Sequence, residues 1–598
     1  MNQAVAQGLA FGREIIFTFG PYAFVFTQDY HPATDTFMLF SCAYLAAIYL
    51  IYVISLMRLG HRRGLVAYCL FLTCMLYPRD ALLFSVPFLL ALSVYQTHLS
   101  KAPNLAPKKW EPLYIALLFS PLGLLPLVKG SLFILCTAVA LLCSVFFVHK
   151  KQKLIAVICL LSPICSGIFF WLLIGQTLTD LPRYIVTMIP IISGYSEAMA
   201  WDGNSIEVIV FVLICCFMSG YIASRKNVSN HAKSFGFILN GLILFLSFKA
   251  GFIHHDIHAL TAGNTIFIAA LLWPVMFYDG SYIYVLLLSG IAFIGLTTNT
   301  IEFHGADLIL QSRHTYVSAF CGLRDRIFRP NWLQQEFVDT LTKLKKTADF
   351  PPLQGTTDIY SYDQSYLIAS QLRWSPRPIL QSYSAYTPAL ASINRQHLIG
   401  DQAPQNIIFK LQTIDGQLPA LMDGPSWPVL MKNYHSTHLQ NGYLFLEKKA
   451  GINTEEDRLS VSTVTGHLGK PIALPDLQQP VFAQIEIKPS LLGRVASFLY
   501  KPSPLTISLK SYRGQISQYR FIAGMGRSTF LISPLIESTY EFALLTQNSP
   551  LLNVKRLKSI TISATGSAAV FWDTDYTISL SKFSSEQPAN EALLNIDQ

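Results

Sequence analysis

The stretch FKAGFIHHDIHA, Phe248–Ala259, sets Lys249, His254, His255, Asp256 and His258 between two long apolar runs. His254 and His258 are four residues apart and share a face if the stretch is helical, and local bending lets Asp256 or His255 add a ligand. That donor set suits a divalent metal ion, with His254, Asp256 and His258 as the candidates; it equally suits proton transfer or hydrogen bonding by one imidazole. Other polar stretches share the setting. GREIIFTFGPYAF (Gly12–Phe24) pairs Arg13 with Glu14, and Pro21 stiffens its FGP turn. YPRDA (Tyr77–Ala81) holds Arg79 and Asp80, LVKGS (Leu127–Ser131) carries Lys129, and the long Gly175–Ser205 stretch brings Asp180, Arg183, Tyr195 and Glu197. Carboxylates beside Lys and Arg suit a phosphorylated ligand: the cations hold a phosphate or diphosphate, and a carboxylate takes the proton of an incoming hydroxyl. Glu14 and Asp80 are the base candidates, and Arg79, Lys129, Arg183 and Lys249 the phosphate candidates. His254, His255, Asp256, His258, Tyr195 and Glu197 are candidates for the wall of one polar cavity.

The elements that must position these groups are membrane helices. A chain of 598 residues with 52% hydrophobic and 13% charged residues is too apolar for an ordinary soluble enzyme, and its mean hydropathy of +0.39 agrees. Apolar runs between residues 35 and 298 give about ten spans, several of them short for a crossing of the hydrocarbon core. Alternate loops collect Arg58, Arg62 and Arg63; Lys101, Lys108 and Lys109; Lys150, Lys151 and Lys153; and Arg225, Lys226 and Lys233, which belong on the cytoplasmic side. The candidate site residues fall in the opposite loops, so they and everything from about Thr298 onward are expected on the extracytoplasmic face. The net charge of +9 is the signature of these loops, and no nucleic-acid partner is expected. The N-terminal MNQAVAQGLAFGREIIF has neither a basic n-region nor an apolar h-region, so an upstream first span is expected, and a longer reading frame would supply it. Cysteines fit an oxidising compartment: nine of ten lie in apolar runs, Cys321 alone follows them, and no CxxC pair suggests zinc or redox chemistry.

The second half reads as mixed and strand-rich. Asn331–Thr347 is amphipathic at helical spacing, TDIYSYD and PQNIIFKL read as strands, and YTPALASINRQHL is a helix opened by a proline. Between them RWSPRPILQSYSAYTP (Arg373–Pro388) is dense in Arg, aromatic and hydroxyl groups and offers either a rigid turn or a surface for a sugar. After Gly451 eight short strands, YEFALLT and AAVFWDTDYTISLS among them, suggest a β-sandwich of jelly-roll type. The expected layout is an interfacial segment at 1–34, a polytopic α-helical membrane domain at 35–298, an extracytoplasmic α/β domain at 299–450 and a β-sandwich at 451–598.

Multiple spans, a polar first external loop bearing a carboxylate and a large extracytoplasmic C-terminal half resemble the GT-C superfamily of membrane glycosyltransferases. FTFGP, FKAGF with HHDIH, and PRPILQSYSAYT are also similar to a group of bacterial multi-pass proteins of this layout. The resemblance implies a bacterial inner-membrane enzyme that moves a sugar from a polyprenyl-phosphate donor to an envelope glycan or lipid acceptor. The position matching the superfamily's first-loop carboxylate is Glu14, although Arg13-Glu14 departs from the paired acids or Asp-x-Asp common there. Metal dependence stays open, since the superfamily includes both kinds. Two other classes fit the same residues. A transporter or flippase of a lipid-linked or anionic solute would use the cations for binding only, and an envelope scaffold would bind glycan through its soluble half.

Overall fold

The computed structural model describes residues 1–58, 62–98, 110–226, 228–277, 282–450, 458–564 and 566–583. Lys101, Lys108 and Lys109 of the basic loops lie outside them. The chain forms two compact units: Met1–Leu9, Thr18–Leu181 and Trp201–Gln335 make the first, and Ala10–Phe17, Pro182–Ala200 and Glu336–Gln598 the second.

The helices of the N-terminal half are α1 (Asn2–Ala6), α2 (Phe24–Thr27), α3 (Asp35–Arg58), α4 (Arg62–Cys74), α5 (Arg79–His98), α6 (Glu111–Phe119), α7 (Pro121–Val128), α8 (Leu132–His149), α9 (Lys153–Leu173), α10 (Leu181–Ala198), α11 (Ser205–Ser224), α12 (Asn230–Phe252), α13 (Ala259–Met276) and α14 (Tyr282–Thr300). Long apolar runs without breakers make them, and side chains set some starts: Asn204 accepts the Ile206 N–H at 3.0 Å to open α11, and Ser229 opens α12 on the Ala232 N–H. Among the described residues nine elements are long and apolar enough to cross a membrane: α3, α5, the α6–α7 pair, α8, α9, α11, α12, α13 and α14. This is the multi-pass pattern expected, except that α4, one of the ten expected spans, is 13 residues long. Nearly all of α13 is buried, because it packs on α4, α5, α12 and α14. Small residues let helices approach: a Cβ on Gly123 of α7 would stand 2.4 Å from the Gly167 amide nitrogen of α9.

Two further helices follow, α15 (Gly305–Phe328) and α16 (Trp332–Ala348). Sequence reasoning missed α15, whose Ile309, Tyr316, Phe320, Leu323 and Ile327 recur along one face and are all exposed. Its ties to the helical unit are polar. Arg326 donates to both carboxylate oxygens of Asp35 at 2.8 and 2.7 Å, and the Thr315 hydroxyl donates to the Thr73 carbonyl at 3.0 Å.

In the second unit β1 (Thr356–Tyr360) leads through α17 (Gln364–Ala369) to β2 (Arg373–Trp374), then through α18 (Pro388–Ile399) to β3 (Asn406–Phe409). Next come α19 (Ser426–Asn433), β4 (Tyr434–Gln440) and β5 (Tyr443–Lys448), giving a five-stranded sheet of order β2-β1-β3-β5-β4. β1 runs parallel to both β2 and β3, while β5 and β4 add antiparallel. The remaining elements are β6 (Arg458–His467), β7 (Ile472–Ala473), β8 (Val481–Glu486), α20 (Leu491–Leu499), β9 (Leu505–Ser511), β10 (Ile516–Phe521), α21 (Ala523–Gly526), β11 (Phe530–Ser533), α22 (Thr539–Thr546), β12 (Leu557–Ala564) and β13 (Asp575–Phe583). They supply two four-stranded antiparallel sheets, β10-β9-β12-β7 and β11-β8-β13-β6. YEFALLT, expected as a strand, is helix α22, because the Ser538 hydroxyl accepts the Glu541 N–H and caps it. AAVFW likewise lies mostly in a 3-10 turn, Gly566–Phe571, ahead of β13. Buried Ile407, Leu444, Trp427, Phe482, Leu531 and Phe542 pack in one apolar cluster, so the five-stranded sheet and the later strands share a core.

At the centre of this unit Arg377 of the PRPIL stretch is wholly buried. Its guanidinium donates to Asp358 at 2.9 Å, to the Ile359 carbonyl and to Ser382, lies 3.9 Å from Asp423, and stacks 3.6 Å from the centre of the Tyr360 ring. Two carboxylates face one cation, and burial pushes the Asp423 carboxyl up to about 7 against the pull of Arg377 and the Asn394 amide.

Candidate functional site

In the helical unit the FTFGPYAF stretch is held against the turn after α7. The Gly130 N–H donates to the Thr18 carbonyl at 2.8 Å, the Tyr22 N–H to the Leu127 carbonyl at 3.0 Å, and the Tyr22 hydroxyl to the Phe170 carbonyl at 2.8 Å. This fixes Phe19 and Phe26 beside Lys129, whose ammonium lies 4.6 Å from the Phe26 ring centre and 5.8 Å from that of Phe19. The same ammonium donates to Asp80 at 2.6 Å, in the first turn of α5, where the carboxylate is almost fully buried. Arg79 stands over the other side of this group, 5.7 Å from the Phe26 ring centre. Asp80, Lys129 and Arg79, three residues singled out by the sequence, are thus gathered round one aromatic pair.

The histidine stretch forms the turn between α12 and α13. Asp256 lies between His254 (Nδ1 to Oδ2, 3.2 Å) and His258 (Nδ1 to Oδ1, 2.5 Å), and also accepts the His258 N–H at 3.0 Å. Burial opposes ionisation of Asp256, but hydrogen bonds from His254 and His258 outweigh it and hold the carboxyl well below the usual range. One ligand atom from each of His254, Asp256 and His258 lies within 4.8 Å of the others. Two imidazoles and a carboxylate on one side form a donor set of the kind first-row divalent ions accept, so these residues fit a metal. Trp201 stacks on His254 at 6.4 Å between ring centres. His255 turns the other way: it is buried, its Nε2 2.7 Å from Glu207 of α11. Gly203 makes room for it, since a Cβ there would sit 2.4 Å from the imidazole. Glu207 is a partner that sequence reasoning did not assign to a histidine; its place in the first turn of α11 was the only available signal.

Tyr77 links the two sets. Its ring lies 6.0 Å from that of His258, and its hydroxyl pKa is raised by burial and then by the negative charges of Asp80 and Asp256. The Asn264 amide of α13 donates to the Leu76 carbonyl at 2.7 Å and anchors this turn. Lys249 lies in the last turn of α12, half-buried, four residues before Ile253, whose N–H its carbonyl accepts.

Glu14, Arg183, Tyr195 and Glu197 belong to the strand-rich unit. Glu14 closes its own loop by accepting the Ala10 N–H at 2.8 Å, with Arg13 4.0 Å away, and the Ile16 N–H donates to the Pro378 carbonyl at 2.8 Å. The middle of the long Gly175–Ser205 stretch forms α10. Arg183 is exposed in its first turn, and Tyr195 lies edge-on to Tyr386 with ring centres 6.2 Å apart. Glu197 accepts the Gly524 N–H at 2.9 Å, and burial raises its carboxyl above the ordinary range. Arg520 donates to the Glu197 and Ala198 carbonyls, so the end of α10 is bound on several atoms.

Comparison with protein-family models, with curated proteins and with solved structures finds no match to this chain.

Proposed function

We propose that this chain is a bacterial inner-membrane glycosyltransferase of GT-C type, moving a sugar from a polyprenyl-phosphate donor to an envelope glycan or lipid acceptor on the extracytoplasmic face. In this reading α4 is a short tenth crossing, and the two four-stranded sheets form a jelly-roll-like sandwich in an extracytoplasmic C-terminal half. The supporting observation is the Lys129–Asp80 pair at 2.6 Å, with Arg79 beside it and Tyr77 leading to Asp256 and His258. A donor phosphate between Lys129 and Arg79 competes for the ammonium that Asp80 holds, and so frees the carboxylate as a base. Asp80 takes the acceptor hydroxyl's proton as that oxygen bonds to the anomeric carbon. The carbon's bond to the phosphate oxygen breaks, and polyprenyl phosphate leaves with the electron pair, its charge held by the cations. Lys249 is a further phosphate candidate in the helical unit, and Glu14 and Arg183 remain the base and phosphate candidates that the sequence offers in the strand-rich unit. A divalent ion at His254, Asp256 and His258 would supply additional neutralisation of a diphosphate.

The test is transfer of labelled sugar from a polyprenyl-phosphate donor in membranes containing the full chain. Asp80→Asn, Glu14→Gln and Lys249→Ala are each expected to abolish transfer at unchanged expression. Retained activity in all three sinks the mechanism.

A further inference from the structure

The strand-rich unit holds a cleft outside everything above. It is partly open to solvent and is lined by residues at and just beyond the ends of β1 and β3, among them Tyr360, Ser361, Tyr362, Lys410 and Gln412. Its position follows from topology. The chain leaves β1 through α17 toward β2 on one side, then returns through α18 to β3 on the other, so the two connections part between β1 and β3. In an open parallel sheet that divergence leaves a crevice beyond the carboxyl ends of the strands, where ligands bind.

The cleft's chemistry narrows the ligand. Asp363 accepts from the Gln412 amide at 2.9 Å and the Tyr443 hydroxyl at 2.6 Å, and Lys410 lies 3.7 Å from the same oxygen. Lys410 is therefore neutralised in place. Arg377 is shared between Asp358 and Asp423, and it meets the cleft lining by donating to Ser382 at 3.0 Å and by stacking on the Tyr360 ring. The turn after β1 reads Ser361-Tyr362-Asp363, with a carboxylate where a phosphate loop would place glycine amides. A phosphate or nucleotide would meet that carboxylate with Lys410 and Arg377 already committed to carboxylates of the chain. What remains is the neutral polar lining of Ser361, Ser382, Tyr383 and Gln412, already oriented by hydrogen bonds to neighbouring groups, beside the exposed ring of Tyr362. Such a lining matches a neutral pyranose: hydroxyls and amides with remaining lone pairs or protons exchange hydrogen bonds with its equatorial hydroxyls, and the Tyr362 ring covers its apolar C–H face.

We infer that the carboxyl-terminal edge of β1 and β3 is a binding site for a neutral hexopyranose unit of a glycan. The inference stands apart from the glycosyltransferase reading, because it requires binding alone. The experiment presents the full chain in detergent with an array of oligosaccharides ending in neutral hexopyranoses, together with sugar phosphates and nucleotide sugars, and follows hits by saturation-transfer NMR. At least one neutral glycan is expected to bind in preference to every anionic probe. Tyr362→Ala, at an exposed rim position, and Gln412→Ala are each expected to weaken it about tenfold, with the unfolding temperature of the Tyr362 variant unchanged. Binding of no neutral glycan, preference for an anionic probe, or full affinity in both variants overturns the assignment. Loss of sugar transfer with glycan binding intact would count against the catalytic reading only.

Discussion

In the helical unit Asp80 meets one cation, Lys129, and Asp256 sits between two imidazoles with 40% of its side chain exposed. In the strand-rich unit Asp358, Arg377 and Asp423 are sealed from solvent, with guanidinium, amide, carbonyl and hydroxyl partners closing round them. Both are ionic clusters, but they answer to different physics. A cluster sealed from solvent has no opening for a ligand, and its role is to fix the chain path: Arg377 ties the PRPIL stretch to β1 and to Ser382. A half-exposed cluster whose donors turn to one side keeps capacity for something that arrives. The contrast assigns structure to the first and chemistry to the second, and each half can be broken separately.

The largest effect is expected at Arg377. Arg377→Met leaves Asp358 and Asp423 buried without their cation, which costs about 3–5 kcal/mol, whereas changing all three residues to apolar or amide side chains of similar volume recovers most of it. Hydrogen exchange read separately over β1 to β5 and over α11 to α13 measures this, with loss of protection confined to the strands. A loss of less than about 1 kcal/mol would mean that the cluster is dispensable, and the contrast would fail. Lys129→Met is expected to cost less, about 2 kcal/mol, because a single hydrogen-bonded ion pair is lost rather than a cation shared by two carboxylates. The sharper reading of that variant is functional: sugar transfer falls far more than stability does.

How much of this was legible in the sequence depends on the range of the forces involved. Membrane helices are written locally, in apolar runs, so the nine long elements were readable, and so was the placing of Lys129 and the histidines between them, whereas Asp80, expected in a loop, lies in the first turn of α5. Amphipathic periodicity marked α16, and a proline marked the start of α18. YEFALLT misled because its alternation outweighed the Ser538-x-x-Glu541 capping signal just before it. α15 was missed because its apolar residues are diluted by charged ones and never form a run. Nothing local could show that Ile16 bonds to Pro378, or that Glu197 receives the Gly524 amide, since these pairs are 362 and 327 residues apart. The pairing of His255 with Glu207 is of the same kind: both residues were visible, and only packing decides which histidine turns inward.

A smaller effect separates the two clusters by pH. Asp423 has a folded-state pKa of about 7, above the ordinary aspartate value of about 4, so the folded chain keeps a proton that the unfolded chain releases. That contribution is fully present below about pH 4 and is lost as pH rises through 7, with a slope of up to about 1.4 kcal/mol per pH unit inside the window. Asp256 has the opposite sign: its folded pKa is depressed, so its contribution is present above the ordinary aspartate range and is lost only in strong acid. Exchange protection measured between pH 5 and 7 should therefore decline across the strands and stay level around α12 and α13. Asp423→Asn should flatten the decline, and an unchanged slope in that variant would assign the titration elsewhere.

The smallest expected effect tests whether exposure alone predicts weakness. Arg326 grips Asp35 through two hydrogen bonds, yet both side chains are partly exposed, at 31% and 20%, so solvent screens the pair and its removal should cost about 1 kcal/mol or less. The consequence is local rather than global, because α15 has no buried residue and depends on a few polar ties to the ends of α3 and α4. Arg326→Ala should therefore raise amide exchange along α15, most strongly in its last two turns, while α13, packed on four neighbours, keeps its protection. If α13 loosens together with α15, the pair carries weight that its exposure does not account for, and the division between sealed structural charges and open, weakly held ones would have to be redrawn for the helical unit.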